Sequence, residues 1–400
     1  MEATAPTSNV PPRVALILSR ELVAASDLVP AHQRPRDPRA LLDLDLDVDS
    51  EIDLVLENTS SFSTPCSKEG APSCASGVLR RSPSVGRDTM VMSLLEATGV
   101  LGWVKVLEPL KASAEDLLMF HDADYVEALL NWTEMTSELL ARFHLHQDAQ
   151  PFHGLSNHVF RVTGASLEAS RALISGEYDI AINWTGGRHH AQRQRASGFC
   201  FVNDVVLSVL ELQRKFSRVL SIDLDVHHGD GTESAFTYSS CVMTCSMHMY
   251  SPGFFPGTGA ATDSGHGRGD GFCLNVPLAP GTTGKDFLLS LHTKVGEAFS
   301  AFHPQAVVLV LGADALAGDP RGGLQLDIDD LCAAASWVQA QALSHGAPLL
   351  VLGGGGYQFS KVARCWTKVT AQLAGRAQSL PKDIPEHEYF EEYGSESWVL

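Results

Sequence analysis

An α/β fold organised on a central, mainly parallel sheet is predicted for this chain by three observations. Helical and strand-like patterns alternate from Arg87 to about residue 375. Four of the short apolar runs end in glycines and reactive side chains, as strands do at the carboxyl edge of an open α/β sheet. Composition agrees, because 400 residues of which 44% are hydrophobic are ample for a large core. No internal repeat is present.

Taken in order, residues 1–12 are polar and carry prolines, and 14–18 is a β-rich apolar run that reads as a first strand. From 31 to 86 the composition turns to Pro, Ser, Asp and Arg, which predicts a disordered insertion. Inside it, 42–49 alternates Leu or Val with Asp in the manner of a calcium loop. Val48 stands where that loop needs glycine, and Leu54 where it needs glutamate, so an acidic solvated stretch is the expectation. Helical spacing follows at 90–98, a strand at 103–107, and a capping box from Ser113 to Asp116 opens the next helix. One helix is expected over 125–143 and another over 157–175. The strand at 178–184, the helix at 203–216 and the strand at 218–224 come next, then a strand at 242–247 and a Gly/Pro loop at 251–271. Helices at 287–302, 327–343 and 362–373 alternate with strands at 306–311 and 348–352. The resulting division is 1–30 an N-terminal segment with the first strand, 31–86 the insertion, 87–375 the α/β domain and 376–400 a C-terminal segment.

A formal net charge of −18 repels nucleic acid and favours basic partners such as positively charged protein tails, while an excess of acid also serves solubility alone. The eight cysteines form no CxxC pair and no dense framework, which points to a reduced, intracellular setting. No apolar run approaches the roughly 18 residues of a membrane span, so no membrane partner is expected. The chain carries neither GxxxxGK[ST] nor a helix-opening GxGxxG, which argues against nucleotide binding.

The chemistry gathers at four strand ends: Trp-Thr-Gly-Gly-Arg-His-His at 184–190, the segment 223–230, Gly-Ala-Asp at 312–314 and Gly-Gly-Gly-Gly-Tyr at 353–357. Asp225 and His227 alternate along an extended chain and so share a face. With Asp314 from another strand they make a set for one divalent cation, whose charge two carboxylates cancel while a position stays open for water. That set would also accept iron or cobalt. His189 and His190 are adjacent imidazoles that cannot both be charged cheaply, so each needs its own carboxylate, and Asp223 and Asp230 are the two left over. The dyad is then a candidate general acid and base. The phenol of Tyr357 follows glycines, among them Gly355, that allow close approach of a substrate, and it can donate to a developing oxyanion.

These stretches, together with Ala-Ser-Gly-Phe-Cys-Phe-Val-Asn-Asp at 196–204, Ser-Pro-Gly-Phe-Phe-Pro-Gly-Thr-Gly at 251–259 and 311–320, resemble the class I zinc-dependent histone deacetylases, most closely the histone deacetylase 8 group. The resemblance spans 87–375 and continues weakly to Tyr393. It implies the arginase/deacetylase-like three-layer fold and zinc-dependent hydrolysis of ε-N-acetyl-lysine in histones and other proteins. By that resemblance zinc would sit on Asp225, His227 and Asp314, His190 with Asp230 would be the general base and acid, His189 with Asp223 its electrostatic support, and Tyr357 the oxyanion donor. Gly198, Phe199 and Phe255 would wall a narrow tube for the acetyl-lysine stem, Asp148 would grip substrate backbone at the rim, and Arg87 would stand beside the acetate channel. A structural potassium ion would lie near Asp223, Asp225, His227, Ser246 and Met247. Corepressor partners and a nuclear location, with the cytoplasm as a second compartment, are further implications.

The sequence departs from the family at several places, among them the insertion, which sits in a loop near the rim in the family and could cover or extend it. Arg188 stands where relatives carry a large apolar residue, and Arg321 lies at the tube where they carry Met or Leu. Two other classes compete with the deacetylase. An acetylpolyamine deacetylase or two-metal ureohydrolase would share the fold, but the latter needs a second full ligand set. A catalytically inactive module holding basic tails would not need the complete set of His190, Tyr357 and three metal ligands.

Overall fold

The computed structural model describes residues 11–27, 86–394, 399 and 400. Its elements run β1 (Val14–Ile17), α1 (Arg20–Asp27), α2 (Arg87–Ala97), β2 (Lys105–Leu107), α3 (Ala114–Leu118), α4 (Ala123–Leu130), α5 (Ser137–Arg142), α6 (Leu155–Ser175), β3 (Ile180–Asn183) and α7 (Asp204–Leu212). There follow β4 (Val219–Asp223), α8 (Asp230–Phe236), β5 (Val242–Met249), β6 (Cys273–Leu278), α9 (Gly284–Ser290), α10 (Gly296–Phe302), β7 (Ala306–Val310), α11 (Ile328–Ser344), β8 (Leu349–Leu352) and α12 (Phe359–Leu373). The strands form one sheet in the order β2-β1-β3-β8-β7-β4-β5-β6. Every pairing is parallel. Parallel neighbours require crossovers, and the crossovers lay helices on both faces.

Period-two alternation divides the strand side chains between two cores. Leu16, Ile182, Ile222, Leu309 and Val351 point to the side covered by α2, α9, α10, α11 and α12. Ala15, Ala181, Val308 and Leu350 point to the side covered by α1, α4, α6 and α7. The fold is therefore the three-layer α/β architecture expected. No helix among the described residues is long and apolar enough to cross a membrane.

The helix expected over 125–143 is two helices. Asn131 leaves helical geometry at φ −121° and ψ 31°, and Thr136 caps a new start by accepting from the Leu139 N–H at 3.3 Å. The helix over 287–302 begins earlier, at Gly284, and passes through a π turn at Leu291–Val295. β6 was not expected, because Asn275 and Pro277 interrupt its apolar run. It is an edge strand, where a proline's missing N–H can face away from the ladder. Helices α1 and α8 were also unexpected. The insertion assigned to 31–86 and its calcium-like stretch at 42–49 lie, apart from Gly86, outside the described residues. In the C-terminal segment, Ile384, Tyr393 and Leu400 pack into the core of the α12 side.

Candidate active site

Strands β3, β8, β7 and β4 are consecutive in the sheet, so the loops after them meet. Pairing continues past the strands: Gly353 N–H donates to Asn183 O at 3.2 Å, Leu311 N–H to Leu352 O at 3.0 Å, and Ala313 N–H to Gly355 O at 2.8 Å. This carries Trp184–His190, Asp223–Asp230, Gly312–Asp314 and Gly353–Tyr357 into one place. Gly355 is required there. A Cβ on it would lie 1.9 Å from an Asp314 carboxylate oxygen.

After β4 the alternation persists, burying Leu224 and Val226 in the core while Asp225 and His227 face the site. Donor atoms of Asp225, His227 and Asp314 lie within 4.8 Å of one another, and all three residues are buried. His227 Nδ1 is 3.1 Å from Asp225 Oδ1 and 3.1 Å from Asp314 Oδ2. The remaining carboxylate oxygens are held by backbone: Gly355 N–H donates to Asp225 Oδ2 at 2.6 Å and Val226 N–H to Asp314 Oδ1 at 3.1 Å. Two buried carboxylates converging on one imidazole nitrogen demand a positive charge between them. Burial opposes charge on His227, yet its hydrogen bonds to Asp225 and Asp314 raise it to about 10. Burial and the Asp225 charge raise Asp314 to about 7. In the protein alone a proton meets that demand, and a divalent ion fits the donor set better because both carboxylates then stay ionised.

The two histidines have separate anchors. His189 Nδ1 is 2.6 Å from Asp223 Oδ2, His190 Nδ1 is 2.7 Å from Asp230 Oδ1, and the two Nε2 atoms are 2.9 Å apart. Burial lowers the basicity of His189, but Asp223 and Asp225 outweigh it and bring it to about 9. Burial, then the neighbouring His189, push His190 down to about 4. The pair thus carries one extra proton, on His189, and His190 is the neutral imidazole of the two.

Tyr357 shares a cavity with this dyad. The space, about 360 Å³ counting its open mouth, is lined by both histidines, Asp225, His227, Gly198, Phe199, Gly355 and Tyr357, and also by Arg87, Arg188, Cys200 and Gly354. Burial raises the Tyr357 phenol well above its usual value, so it remains a donor. Phe255 stands at the mouth, 42% exposed, with its ring centroid 4.9 Å from that of His190. Arg321, also exposed, lies 5.4 Å from the Phe199 ring and 6.0 Å from the Tyr357 ring. Asp148 accepts from the Gly198 N–H at 3.0 Å, so it holds the cavity wall. Arg87 is on the inner side, with Nη1 donating to Gly354 O at 2.8 Å, Nε to Asp88 at 3.0 Å, and the guanidinium 5.0 Å from the Trp366 ring.

Three positioning residues were not singled out from the sequence. Asp204 accepts the backbone N–H groups of Gly187 at 3.1 Å and Arg188 at 2.7 Å. Asn203 caps α7 through Val206 N–H at 2.9 Å and donates to His189 O at 3.2 Å and Ala191 O at 3.0 Å. Asp319 accepts from the backbone N–H groups of Tyr357 at 2.7 Å and Arg321 at 2.9 Å. Asn203 carries a legible signal, a cap residue before an apolar helix. Asp204 accepts from residues 16 and 17 positions away, and Asp319 reaches Tyr357 across 38, which no local pattern encodes.

Residues 83–373 match the family model described as "Histone deacetylase domain". The chain is 43% identical to "Histone deacetylase 8" of Xenopus tropicalis over 312 residues, covering 77% of this chain and 83% of that protein. It is 42% identical to "Histone deacetylase 8" of Danio rerio, covering 77% of this chain and 81% of that one. Against "Histone deacetylase 1" of Homo sapiens identity is 38%, covering 77% and 63%.

Proposed function

The chain belongs to the histone deacetylase family and is a lysine deacetylase, and from that premise we propose that it hydrolyses ε-N-acetyl-lysine in histones and other acetylated proteins, using zinc and a histidine dyad. One observation carries the reading. Each of two adjacent imidazoles has its own carboxylate, and the neutral one opens on the same cavity as the metal-ligand set and Tyr357.

The family is metal-dependent, and Asp225, His227 and Asp314 would hold the ion, zinc first, with ferrous iron or cobalt as alternatives. When bound, it supplies Lewis acidity at the amide carbonyl and makes a nearby water more acidic. His190 takes a proton from the attacking water at Nε2: Asp230 on Nδ1 fixes the tautomer whose lone pair is on Nε2, and the water must displace the 2.9 Å contact that His189 Nε2 makes there. The same nitrogen then delivers the proton to the departing lysine amine. His189, charged against Asp223, stabilises the negative charge that develops beside it. Tyr357 donates its O–H to the carbonyl oxygen as that becomes an oxyanion. Gly198, Phe199 and Phe255 enclose the lysine methylenes, Gly355 lets the substrate approach closely, and Asp148 and Arg321 meet the peptide at the rim. A structural potassium ion would lie behind Asp223, next to Ser246 in register on β5 and to Met247.

Acetylated histone tails suit the acidic chain as substrates, with corepressor proteins as partners and the nucleus, then the cytoplasm, as location. The deciding experiment measures acetate release from an acetyl-lysine peptide by metal-stripped protein with zinc restored, beside His190→Ala. Zinc-dependent release that the variant lacks supports the reading. Release by the variant at the wild-type rate refutes the role of His190, and no release by zinc-loaded wild type refutes the activity.

A further inference from the structure

Among the described residues no carboxylate is in ion-pair contact with the Arg188 guanidinium, although Asp204 is near enough to feel its charge. Arg188 Nη2 donates to Ser26 Oγ at 3.3 Å, a neutral hydroxyl that spends its own proton on Asp88. Arg188 Nε is buried and finds no acceptor among the described residues. Asp204 accepts the backbone N–H of Arg188 rather than its guanidinium, and no carboxylate among the described residues lies within 4.0 Å of that guanidinium. Arg188 is half-buried, with its Nε shielded from water, and a shielded guanidinium N–H without an acceptor is costly. Arg188 nevertheless lines the cavity of the dyad, together with Arg87.

The direction is set by exposure. Phe255 and Arg321 are at the open end, while the Arg87 side chain is 13% exposed and tied to Asp88, to which buried Ser26 also donates. A lysine stem entering past Phe199 and Phe255 therefore points its acyl chain, beyond the reacting carbonyl, toward the two arginines.

We propose that Arg188 and Arg87 make the inner end of the cavity a carboxylate subsite, and that the chain hydrolyses lysine amides whose acyl chain ends in a carboxylate, of the succinyl type. The inference rests on the amide-hydrolase reading above and extends its substrate class. In the reaction the water oxygen bonds to the acyl carbon and the C–N bond breaks. The amine receives the water's proton through His190, and the acyl group leaves as a dicarboxylate. Arg188 is a specificity residue here, since it touches the far end of the acyl group and not the reacting atoms.

The test uses one peptide sequence with acetyl-, butyryl- or succinyl-lysine, and the zinc-loaded full chain as wild type, Arg188→Leu and Arg188→Lys. Butyryl and succinyl chains have the same number of carbons, so their ratio isolates the carboxylate. In wild type kcat/KM for the succinyl peptide should exceed that for the butyryl peptide at least ~10-fold. Arg188→Leu should lower the ratio ~10- to 100-fold, and Arg188→Lys, a point charge without the fork, should fall between. A wild-type ratio at or below one, or one that Arg188→Leu leaves unchanged, overturns the proposal.

Calorimetric titration with succinate and butyrate reads the subsite without turnover. Hydrolysis of the acetyl peptide with no succinyl preference overturns the subsite and keeps the deacetylase. No hydrolysis of any peptide, with succinate binding over butyrate lost in Arg188→Leu, overturns the deacetylase and keeps the subsite. Neither hydrolysis nor selective binding overturns both. Should Arg188→Leu fail to fold, the wild-type comparison and Arg188→Lys still decide.

Discussion

Gly198→Ala should cripple catalysis while leaving the protein folded. Gly198 has φ +53°, and a Cβ on it would lie 2.4 Å from His190 Cδ2, 2.7 Å from Cγ and 3.0 Å from Cβ. Carbon atoms pack at about 3.5–4.0 Å, so the imidazole or the Gly198 backbone must shift by about 1 Å. The imidazole has little freedom, held by Asp230 at 2.7 Å and by His189 Nε2 at 2.9 Å, and the backbone is held by Asp148 at 3.0 Å. Alanine in the left-handed region costs roughly 1–2 kcal/mol of stability. A misplacement of about 1 Å at a proton-transferring group costs roughly 100-fold in turnover. The assay is steady-state hydrolysis of an acetyl-lysine peptide, with zinc content and denaturant unfolding measured on the same preparation. The expected result is kcat down about 100-fold with full zinc and a modest loss of stability. A kcat within threefold of wild type would refute the reasoning that Gly198 is glycine to make room for His190.

Tyr357→Phe removes only the phenolic donor and should lower kcat by ~10²- to 10³-fold in the same assay, with zinc content unchanged. Unchanged turnover would remove Tyr357 from the mechanism. Stripping the metal should lower the melting temperature, and zinc at ~1,000 times its Kd should restore about 4 kcal/mol. Asp225→Asn should abolish that zinc-induced shift in differential scanning calorimetry. Acid should destabilise the fold through His158, which is buried with Nδ1 2.9 Å from Ala25 O and pushed down by burial, then by Arg188, to about 3. Because the unfolded chain binds this proton near pH 6.5 and the folded one near 3, the unfolded state holds more protons in that window. Stability then falls as pH drops from about 6.5, by up to about 1.4 kcal/mol per pH unit in the middle of the window. His158→Asn should flatten that slope between pH 4 and 6 in chemical denaturation, and an unaltered slope would exclude His158 as its source.

Much of the site was legible because its parts are local. Asp225 and His227 share a face through strand periodicity, and the glycines before Tyr357 announce close approach of backbone. The need of two adjacent imidazoles for separate carboxylates pointed to Asp223 and Asp230, and the structure places those oxygens 2.6 and 2.7 Å from the rings. Errors fell where local pattern and packing diverge. The apolar residues of 125–143 suit one helix, but Asn131 ends it and Thr136 starts another. β6 reads poorly as a strand because an edge position tolerates the proline and asparagine that a central one would not.

By itself the sequence determined the chemistry at each strand end and the parallel sheet, since both follow from short-range periodicity and residue type. Only the tertiary structure decided which strand ends adjoin, that Asp314 meets His227, that Asp148 holds Gly198, and that Arg188 shares the site cavity with Arg87 with no ion-pair partner among the described residues. Those facts depend on strand order and on side chains far apart in the chain, and neither leaves a periodic trace in the residues between.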